Sequence, residues 1–263
     1  MKKITINTLK NQKNKTPITM ITAYDGLFAK LFDDYVDMIL VGDSLNMSFG
    51  CENDTLSVNL DTMIYHTKAV CRGAKKSFVV CDMPFGSYTN KKQAIQNASR
   101  VYQETDANAV KIEGGKNRAK IVKALTKNSI AVLGHIGLMP QFARSEGGYI
   151  IKGKNELSKK ELIKDALAIQ KAGAFAIVIE GVKDDVAKEI TQVLEIPTIG
   201  IGAGVDVDGQ VLVWSDMFGF FEEFKPKFVK KYLDGAKLIK EATKEYVQDV
   251  QNKKFPTKEF SYG

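Results

Sequence analysis

The sequence of 263 residues lacks any apolar run approaching the ~20 residues that a membrane-spanning helix needs. Its amino terminus, residues 1–7, also lacks the apolar core of a secretory signal peptide. We therefore expect a cytoplasmic protein that has no membrane partner.

Cysteine and histidine are scarce, with three and two residues respectively. The cysteines, Cys51, Cys71 and Cys81, are odd in number and lack the spacing of a metal site, so reduced thiols are expected. His66 lies in a stretch of helical pattern, residues 59–76, and is interpreted as a packed or surface side chain. A metal site built from Cys and His ligands is therefore not expected.

Acidic residues are fewer than basic residues, and the formal net charge is +7. Residues 1–15 hold five Lys and no acid, and residues 225–263 hold ten Lys and five acids. Residues 16–224 carry 23 basic and 26 acidic residues, which is a net charge of −3. Because the excess lies at the two ends, we expect solvated lysine surfaces and no nucleic-acid partner; attraction of an anionic substrate is a weaker reading.

Short apolar segments without polar alternation recur along the chain, which is typical of strands buried on both faces of a parallel sheet. Most of them are separated by stretches of helical pattern, and no repeat or low-complexity linker marks a domain boundary. The eight predicted strands are residues 17–24, 37–43, 77–82, 109–113, 130–135, 174–180, 197–202 and 210–214.

Eight such units in a chain of this length predict an α/β protein, a single (β/α)8 TIM barrel spanning residues 1–263. A doubly wound open sheet is the alternative, disfavoured because regular units fill the chain. The basic residues 1–15 are expected to form an arm or lid over one end of the fold, and residues 226–252 a lysine-rich helical region. The connection between the last two strands is too short for a full helix.

Five of the predicted strands end in an acid or a histidine. In a parallel barrel all carboxyl ends of strands lie at one face, where barrel enzymes place their catalytic residues. Each acid alone is more commonly a helix cap or an ion-pair partner, but five such ends in one chain are harder to explain in that way. The residues that would surround one cavity are Asp43, Asp82, Glu113, His135 and Glu180.

Carboxylates gathered in one cavity raise one another's pKa values unless a cation compensates. Oxygen ligands favour a hard ion, with Mg2+ first. Lys111 lies two residues before Glu113, hence on the same side of its strand, and offers a positive charge to an anionic substrate. The glycine-rich residues 200–204 depart from the phosphate-loop patterns and are interpreted as a tight turn, with a backbone wall for a cofactor as the less favoured alternative.

Seven ordered segments carry a more specific pattern: Thr22–Asp25 (TAYD), Val41–Leu45 (VGDSL), Met63–Val70 (MIYHTKAV), Asp82–Tyr88 (DMPFGSY), Val110–Gly115 (VKIEGG), Gly134–Gln141 (GHIGLMPQ) and Ile199–Gly204 (IGIGAG). Together with Phe255-Pro256, they make the chain from about residue 17 onward resemble the ketopantoate hydroxymethyltransferase (3-methyl-2-oxobutanoate hydroxymethyltransferase) family.

The resemblance implies a barrel of the phosphoenolpyruvate mutase/isocitrate lyase type, a bound Mg2+ and a homodecamer. It also implies transfer of a hydroxymethyl group from the co-substrate 5,10-methylenetetrahydrofolate to 3-methyl-2-oxobutanoate. The product would be 2-dehydropantoate, formed through a Mg2+-stabilised enolate in the first committed step towards pantothenate.

The same resemblance assigns roles to individual residues by motif match. Glu180 is implied as the proton-accepting base. Ser44 and Lys111 are implied to hold the carboxylate of the oxo acid. The implied metal ligands are Asp43, Asp82 and Glu113, and the implied substrate-binding residues are Asp43, Ser44, Asp82, Lys111 and His135.

Two positions depart from the family pattern and concern the shape of the pocket. Asn46 stands where glycine is usual, and Gly181 where cysteine is common. Two other functions stay open at this point. One is another Mg2+-dependent lyase or mutase of the same barrel type, although no cysteine here lies in the Lys-Lys-Cys-Gly-type loop of those enzymes. The other is a nucleic-acid-binding barrel, against which acidic strand ends argue because they repel phosphates.

Overall fold

A computed structural model of the protein describes residues 3–222 and 226–263. The first two residues of the predicted basic arm lie outside the described residues. The chain forms two compact units, the first ending at Val213 and the second covering Trp214–Gly263. Each unit is described by itself, and the assignment of the whole chain to one barrel domain stays a prediction.

Eight parallel strands of the first unit close into a barrel in which each strand pairs with the next and the eighth pairs with the first. This closure confirms the predicted barrel and excludes the open sheet. The strands are β1 (Ile18–Thr22), β2 (Met38–Val41), β3 (Phe78–Asp82), β4 (Ala109–Glu113), β5 (Val132–Gly137), β6 (Ala176–Glu180), β7 (Thr198–Ile201) and β8 (Gly209–Leu212).

Nine α-helices are described in this unit, and most of them connect consecutive strands. They are α1 (Ile6–Gln12), α2 (Gly26–Phe32), α3 (Leu45–Ser48), α4 (Leu60–Gly73), α5 (Lys91–Glu104), α6 (Ala119–Lys127), α7 (Ala143–Glu146), α8 (Glu156–Lys171) and α9 (Asp184–Val193). Three of the longer ones begin at an asparagine whose side chain accepts a backbone N–H of the first turn, a cap that contributes about 1 kcal/mol. These caps are Asn59, Asn90 and Asn155.

The interior of the barrel is filled by alternate residues of the strands, because successive side chains point to opposite faces. Examples are Met38 and Leu40 on β2, and Phe78 and Val80 on β3, all of them buried. As predicted, no described helix separates β7 from β8.

The amino-terminal segment packs against the start of the strands. Leu9 of α1 is fully buried and belongs to the same core cluster as the interior strand residues. The Lys13 ammonium lies 2.9 Å from the Asp208 carboxylate, whose other oxygen accepts the N–H of Asn14 at 2.9 Å. Since Asp208 directly precedes β8, these contacts place the predicted arm over the amino-terminal end of the barrel, opposite the carboxyl ends of the strands.

Leu9→Ala is expected to lower the free energy of unfolding by about 2–5 kcal/mol, because it leaves a cavity in a dry core. The measurement is urea unfolding followed by circular dichroism, with Lys10→Ala on the exposed side of the same helix as the control. A loss below about 1 kcal/mol, typical of surface changes, would contradict the packing of α1 into the barrel.

The described residues of the second unit, 214–222 and 226–263, include α10 (Trp214–Met217), α11 (Gly235–Gln251) and the 3-10 turn Lys258–Phe260. The predicted helical region 226–252 therefore begins nine residues too early. Residues 226–234 are not helical because their backbone pairs with the preceding segment. Tyr232 N–H donates to Met217 O at 2.8 Å, and Gly235 N–H donates to Phe218 O at 2.8 Å. No described helix of either unit is long and apolar enough to cross a membrane.

Candidate active site

The side chains inside the barrel change from apolar to polar at the carboxyl ends of β3 to β6. Asp82 follows Val80 with the strand period of two, and Glu180 follows Val178 in the same way. These positions lie side by side on neighbouring strands, since Asp82 is paired in register with Lys111, and Glu113 is paired in register with His135. The polar interior positions are Asp82, Lys111, Glu113, His135 and Glu180.

Lys111 lies at the centre of this group. Its ammonium Nζ is 2.9 and 2.7 Å from the two oxygens of Asp82, and 3.4 Å from Glu113 Oε1. All three residues are buried. A buried ammonium between two carboxylates is strongly stabilised as a cation, and its pKa is raised by the charges of Asp82 and Glu113 although burial alone would lower it.

Asp43 reaches the same group from the loop after β2. Its backbone N–H donates to Asp82 Oδ2 at 3.3 Å, and its own carboxylate accepts Gln141 Nε2 at 2.8 Å. Burial and the neighbouring Asp82 charge raise the pKa of Asp43 well above its usual value. Burial also raises the pKa of Asp82, against the opposing effect of Lys111. For Glu113, Lys111 and His135 outweigh burial and lower the pKa.

The charges of this group are incompletely balanced. Four carboxylates, those of Asp43, Asp82, Glu113 and Glu180, face two cations, the Lys111 ammonium and the His135 imidazolium, so two negative charges lack a compensating cation among the described partners. Burying such charges is costly, which is why the pKa of Asp43 rises. A divalent cation bound by oxygen would balance them, so the donor set fits the predicted Mg2+.

No three or more His, Cys, Asp or Glu residues within 3–222 and 226–263 form a ready-made metal cluster. Glu113 is directed instead to Lys111 and, through Oε2, to the backbone N–H of Gln141 at 3.1 Å. Mg2+ is commonly held by one or two carboxylates, with water and substrate oxygens completing its shell. Asp43 and Asp82 fit that pattern, and Glu113 as a direct ligand stays a prediction.

His135 lies between two carboxylates. Its Nδ1 is 3.5 Å from Glu113 Oε1, and its Nε2 is 3.3 Å from Glu180 Oε2. Burial and the Lys111 charge lower the pKa of His135, but the two carboxylates outweigh them and raise it to about 9. Neither ring nitrogen has a partner in hydrogen-bond geometry within the described chain. Both N–H groups of the imidazolium nevertheless face a carboxylate, so its charge is held between Glu113 and Glu180.

Ser44 is placed by an aromatic side chain. Its Oγ lies 2.8 Å from the hydroxyl of Tyr24, a residue of the TAYD segment that is completely buried. The backbone carbonyl of Tyr24 in turn contacts His66 Nδ1 at 2.6 Å. His66 thus has the packing role predicted for it and lies outside the carboxylate group.

Gln141 and Tyr88 are parts of the site that sequence reasoning missed. The Gln141 amide donates to Asp43 and, at 2.9 Å, to the carbonyl of Met83, while its carbonyl oxygen accepts the Tyr88 hydroxyl. Both side chains are buried. Their positions in the sequence could have indicated this role, because Gln141 is the last residue of the GHIGLMPQ segment and Tyr88 is the last residue of the DMPFGSY segment.

A family model described as ketopantoate hydroxymethyltransferase matches residues 3–258. The chain belongs to the ketopantoate hydroxymethyltransferase family. Relatives named 3-methyl-2-oxobutanoate hydroxymethyltransferase include the protein of Aliarcobacter butzleri (strain RM4018), 65% identical over 99% of this chain and 97% of its own. The Campylobacter concisus (strain 13826) protein is 61% identical over 99% of this chain and 96% of its own. Family membership makes this chain a transferase enzyme.

Solved structures similar to the chain share the barrel. Phosphonopyruvate hydrolase matches with a TM-score of 0.63 and 14% identity, covering 96% of this chain and 88% of its own. A 2,3-dimethylmalate lyase, described as a PEP mutase/isocitrate lyase superfamily member, matches with a TM-score of 0.61 and 14% identity, covering 97% and 91%. At such low identity the similarity concerns the fold alone, and it confirms the predicted type of barrel.

Asn46 and Gly181, the two residues that depart from the pattern of the hydroxymethyltransferase family, have local structural explanations. The Asn46 side chain donates to Asp54 O and Ser57 Oγ, both at 2.8 Å, and thereby fastens the loop that follows β2. Gly181 has a φ of 54°, and a Cβ there would lie 2.9 Å from the side chain of Leu138. Any larger residue at position 181 would require both that backbone strain and a shift of Leu138.

Two of the three cysteines of this family member, Cys71 and Cys81, are unsuited to nucleophilic chemistry. All three are free thiols, and Cys71 and Cys81 are buried. Burial raises the pKa of Cys71 to about 11 and that of Cys81 to about 12, so both are protonated at neutral pH. Neither of these two thiols is therefore suited to act as the catalytic cysteine of the alternative lyase function.

Proposed function

We propose that the chain transfers a hydroxymethyl group from 5,10-methylenetetrahydrofolate to 3-methyl-2-oxobutanoate, giving 2-dehydropantoate for pantothenate synthesis. The observation that carries the proposal is the contact of Glu180 with His135 beside the buried group of Asp43, Asp82, Lys111 and Glu113. This arrangement combines a carboxylate base, donors for an oxo acid and oxygen ligands for a metal in one place. The names of the relatives supply the substrate.

Lys111 and Ser44 hold the carboxylate of the oxo acid in this proposal. The Lys111 ammonium is buried and carries a charge that suits an anion. The Ser44 hydroxyl is oriented by Tyr24. His135 lines the site between Glu113 and Glu180 and places a positive charge beside the bound oxo acid.

Asp43 and Asp82 would hold Mg2+, with Glu113 close by. When bound, the metal supplies a Lewis acid that polarises the substrate carbonyl and so acidifies C3. The Gln141 amide keeps the Asp43 carboxylate in place by a hydrogen bond of 2.8 Å. Lys111 limits the repulsion between Asp82 and Glu113.

Glu180 accepts the C3 proton. Its side chain is 18% exposed, whereas those of Asp82 and Glu113 are 2% and 0% exposed, so Glu180 is the more accessible carboxylate for a bound molecule. His135 is a poor alternative base, because a pKa of about 9 keeps its ring protonated at neutral pH. Its imidazolium instead steadies the negative charge of Glu180.

The test of the reaction is folate-dependent conversion of 3-methyl-2-oxobutanoate to 2-dehydropantoate by the purified protein. We expect conversion with Mg2+, loss of at least about 100-fold after EDTA treatment, and recovery on adding Mg2+ again, since the metal carries several kcal/mol of charge stabilisation. Conversion that EDTA leaves unchanged would contradict the metal requirement. Absence of conversion with Mg2+ and folate present would contradict the reaction itself.

We also propose a cytoplasmic homo-oligomer, in line with the decamer that the resemblance implies. Light scattering at micromolar concentration is expected to give about ten times the mass of the 29.1 kDa chain. A stable monomer at that concentration would refute the proposal.

A further inference from the structure

One cavity beside the candidate active site has no role in the reaction as derived so far. Its volume is about 350 Å3, within the usual size of small-molecule pockets. Its walls come from the loops after β2, β3, β4 and β5, at the same end of the barrel as the carboxylates. The lining includes Phe85, Tyr88, Arg118, Gln141, Phe142 and Arg144. This cavity is called the Arg118 pocket below.

The Arg118 guanidinium has no carboxylate partner among the ion pairs of the described residues, and it borders the cavity. Its Cζ lies 5.5 Å from the centre of the Tyr88 ring, a cation–π contact that holds it beside the cavity. Its Nε is buried and has no hydrogen-bond partner within residues 3–222 and 226–263. An unsatisfied buried donor of this kind is costly, and an anion bound in the pocket would satisfy it.

The remaining walls favour an aromatic ligand with more than one negative charge. Phe85 is 55% exposed at the edge of the cavity, and Phe142 and Tyr88 add further aromatic surface. A second guanidinium, that of Arg144, is 74% exposed and paired with Asp54 at 2.8 Å, in a position where solvent weakens the pair. The pair occupies two of the five N–H donors of the guanidinium, so others remain for a second carboxylate.

The floor of the pocket connects it to the carboxylate group. Tyr88 and Gln141 are buried there and hydrogen-bonded to each other, and Gln141 Nε2 also binds Asp43 at 2.8 Å. A molecule in the pocket would therefore lie one layer of side chains away from the proposed Mg2+ and oxo acid. This proximity favours a co-substrate over a distant effector.

We propose that the Arg118 pocket binds the p-aminobenzoylglutamate tail of the folate co-substrate. The aromatic ring packs among Phe85, Tyr88 and Phe142, and the glutamate carboxylates pair with Arg118 and Arg144. The pterin end, which bears the one-carbon unit, extends from the pocket to the mouth of the barrel. The choice of folate as the ligand rests on the proposed function. The preference for an aromatic ligand with negative charges rests on the arginine and aromatic side chains of the pocket.

The test measures binding of tetrahydrofolate and of p-aminobenzoylglutamate by calorimetry, without the oxo acid. Arg118→Met keeps the apolar stem and removes the charge, and it is expected to weaken both Kd values by about 10- to 100-fold, as expected for the loss of a charged hydrogen-bond partner. Arg118→Lys is expected to recover part of the affinity. Phe85→Ala, at an exposed position that should not disturb folding, is expected to weaken binding by about 10-fold, the scale of one aromatic contact. Arg72→Met removes an exposed arginine of α4 and is the matched control.

Steady-state kinetics gives the second measurement. In Arg118→Met the KM for the folate is expected to rise by about 10- to 100-fold while the KM for 3-methyl-2-oxobutanoate stays within about twofold. Folate-dependent turnover with binding that is unaffected by Arg118→Met and Phe85→Ala would overturn the pocket assignment and leave the proposed function intact. Binding of p-aminobenzoylglutamate that depends on Arg118, in a protein without hydroxymethyl transfer, would support the pocket and overturn the proposed function. Absence of binding to the unmodified protein would overturn the pocket assignment.

Discussion

Glu180→Gln is expected to slow proton removal from C3 of 3-methyl-2-oxobutanoate by about 100- to 10,000-fold, the usual contribution of a general base. Glutamine keeps the size of the side chain and its contact with His135 but cannot accept the proton. Binding of the oxo acid and of Mg2+ should change little, because Glu180 lies apart from Asp43 and Asp82 in the proposed metal site. The expected effect is therefore in the rate and not in KM.

Exchange of the C3 proton into D2O, followed by NMR without folate, isolates this step from the transfer. Glu195→Gln, at an exposed position after α9, removes the same charge elsewhere and is expected to leave the exchange rate unchanged. If the Glu180→Gln protein exchanges the proton at the unmodified rate, Glu180 is not the base. His135 would then be the remaining candidate, because its Nε2 lies 3.3 Å from residue 180 and the loss of the Glu180 charge removes one of the causes that raise its pKa.

The barrel could be predicted because its strands are buried on both faces and therefore have an unmistakable apolar pattern. Residues 109–113 were predicted as a strand and form β4 with the same bounds, and the other strands differ by one or two residues at an end. The polar ends of these strands could be found for the same reason. Lys111 and Glu113 interrupt an apolar segment, and a parallel barrel sends all such interruptions to one face.

The rest of the site depends on loops, whose course a strand pattern does not determine. Gln141 and Tyr88 follow the ends of β5 and β3, and they meet only because the two loops fold over the same cavity. The cation–π contact of Arg118 depends on the loop after β4 in the same way. The packing of α1 also escaped prediction in detail, since residues 1–15 are mostly polar and, among the described residues 3–15, only Leu9 is fully buried.

The sequence predicted that the clustered acids have shifted pKa values, but not the direction of the shift at each acid. The sequence suggested that neighbouring acids raise one another's pKa; the pKa values of Asp43 and Asp82 are raised, first by burial and then by neighbouring carboxylates. For Glu113 the direction is reversed, because Lys111 and His135 both face it and lower its pKa. The carboxylate whose pKa the Lys111 ammonium lowers most is determined by side-chain contacts shorter than 4 Å. Those contacts exist only in the completed fold, so the sequence pattern does not predict them.

Asp82→Asn is expected to weaken Mg2+ binding by at least about 100-fold, since changes outside the ligand shell alone cost 10- to 100-fold. Asparagine retains the size of the side chain and an oxygen for Lys111, so the barrel should remain folded. Asp82→Ala should weaken the metal to at least the same extent, but it removes the contacts of 2.7 and 2.9 Å that hold Lys111 and is expected to cost stability as well. Comparing the two variants separates loss of a metal ligand from loss of the lysine's partner.

The readout for this prediction is thermal unfolding with and without Mg2+, because a ligand that binds the folded state alone stabilises it by about 2.7 kcal/mol at 100 times its Kd. The unmodified protein and Asp185→Asn, an exposed acid at the start of α9, should both gain Tm on adding Mg2+. The Asp82 variants should gain none at the same concentration. An equal gain of Tm in Asp82→Asn would remove Asp82 from the metal site, and it would leave Asp43 and Glu113, which Gln141 already bridges, as the remaining candidates.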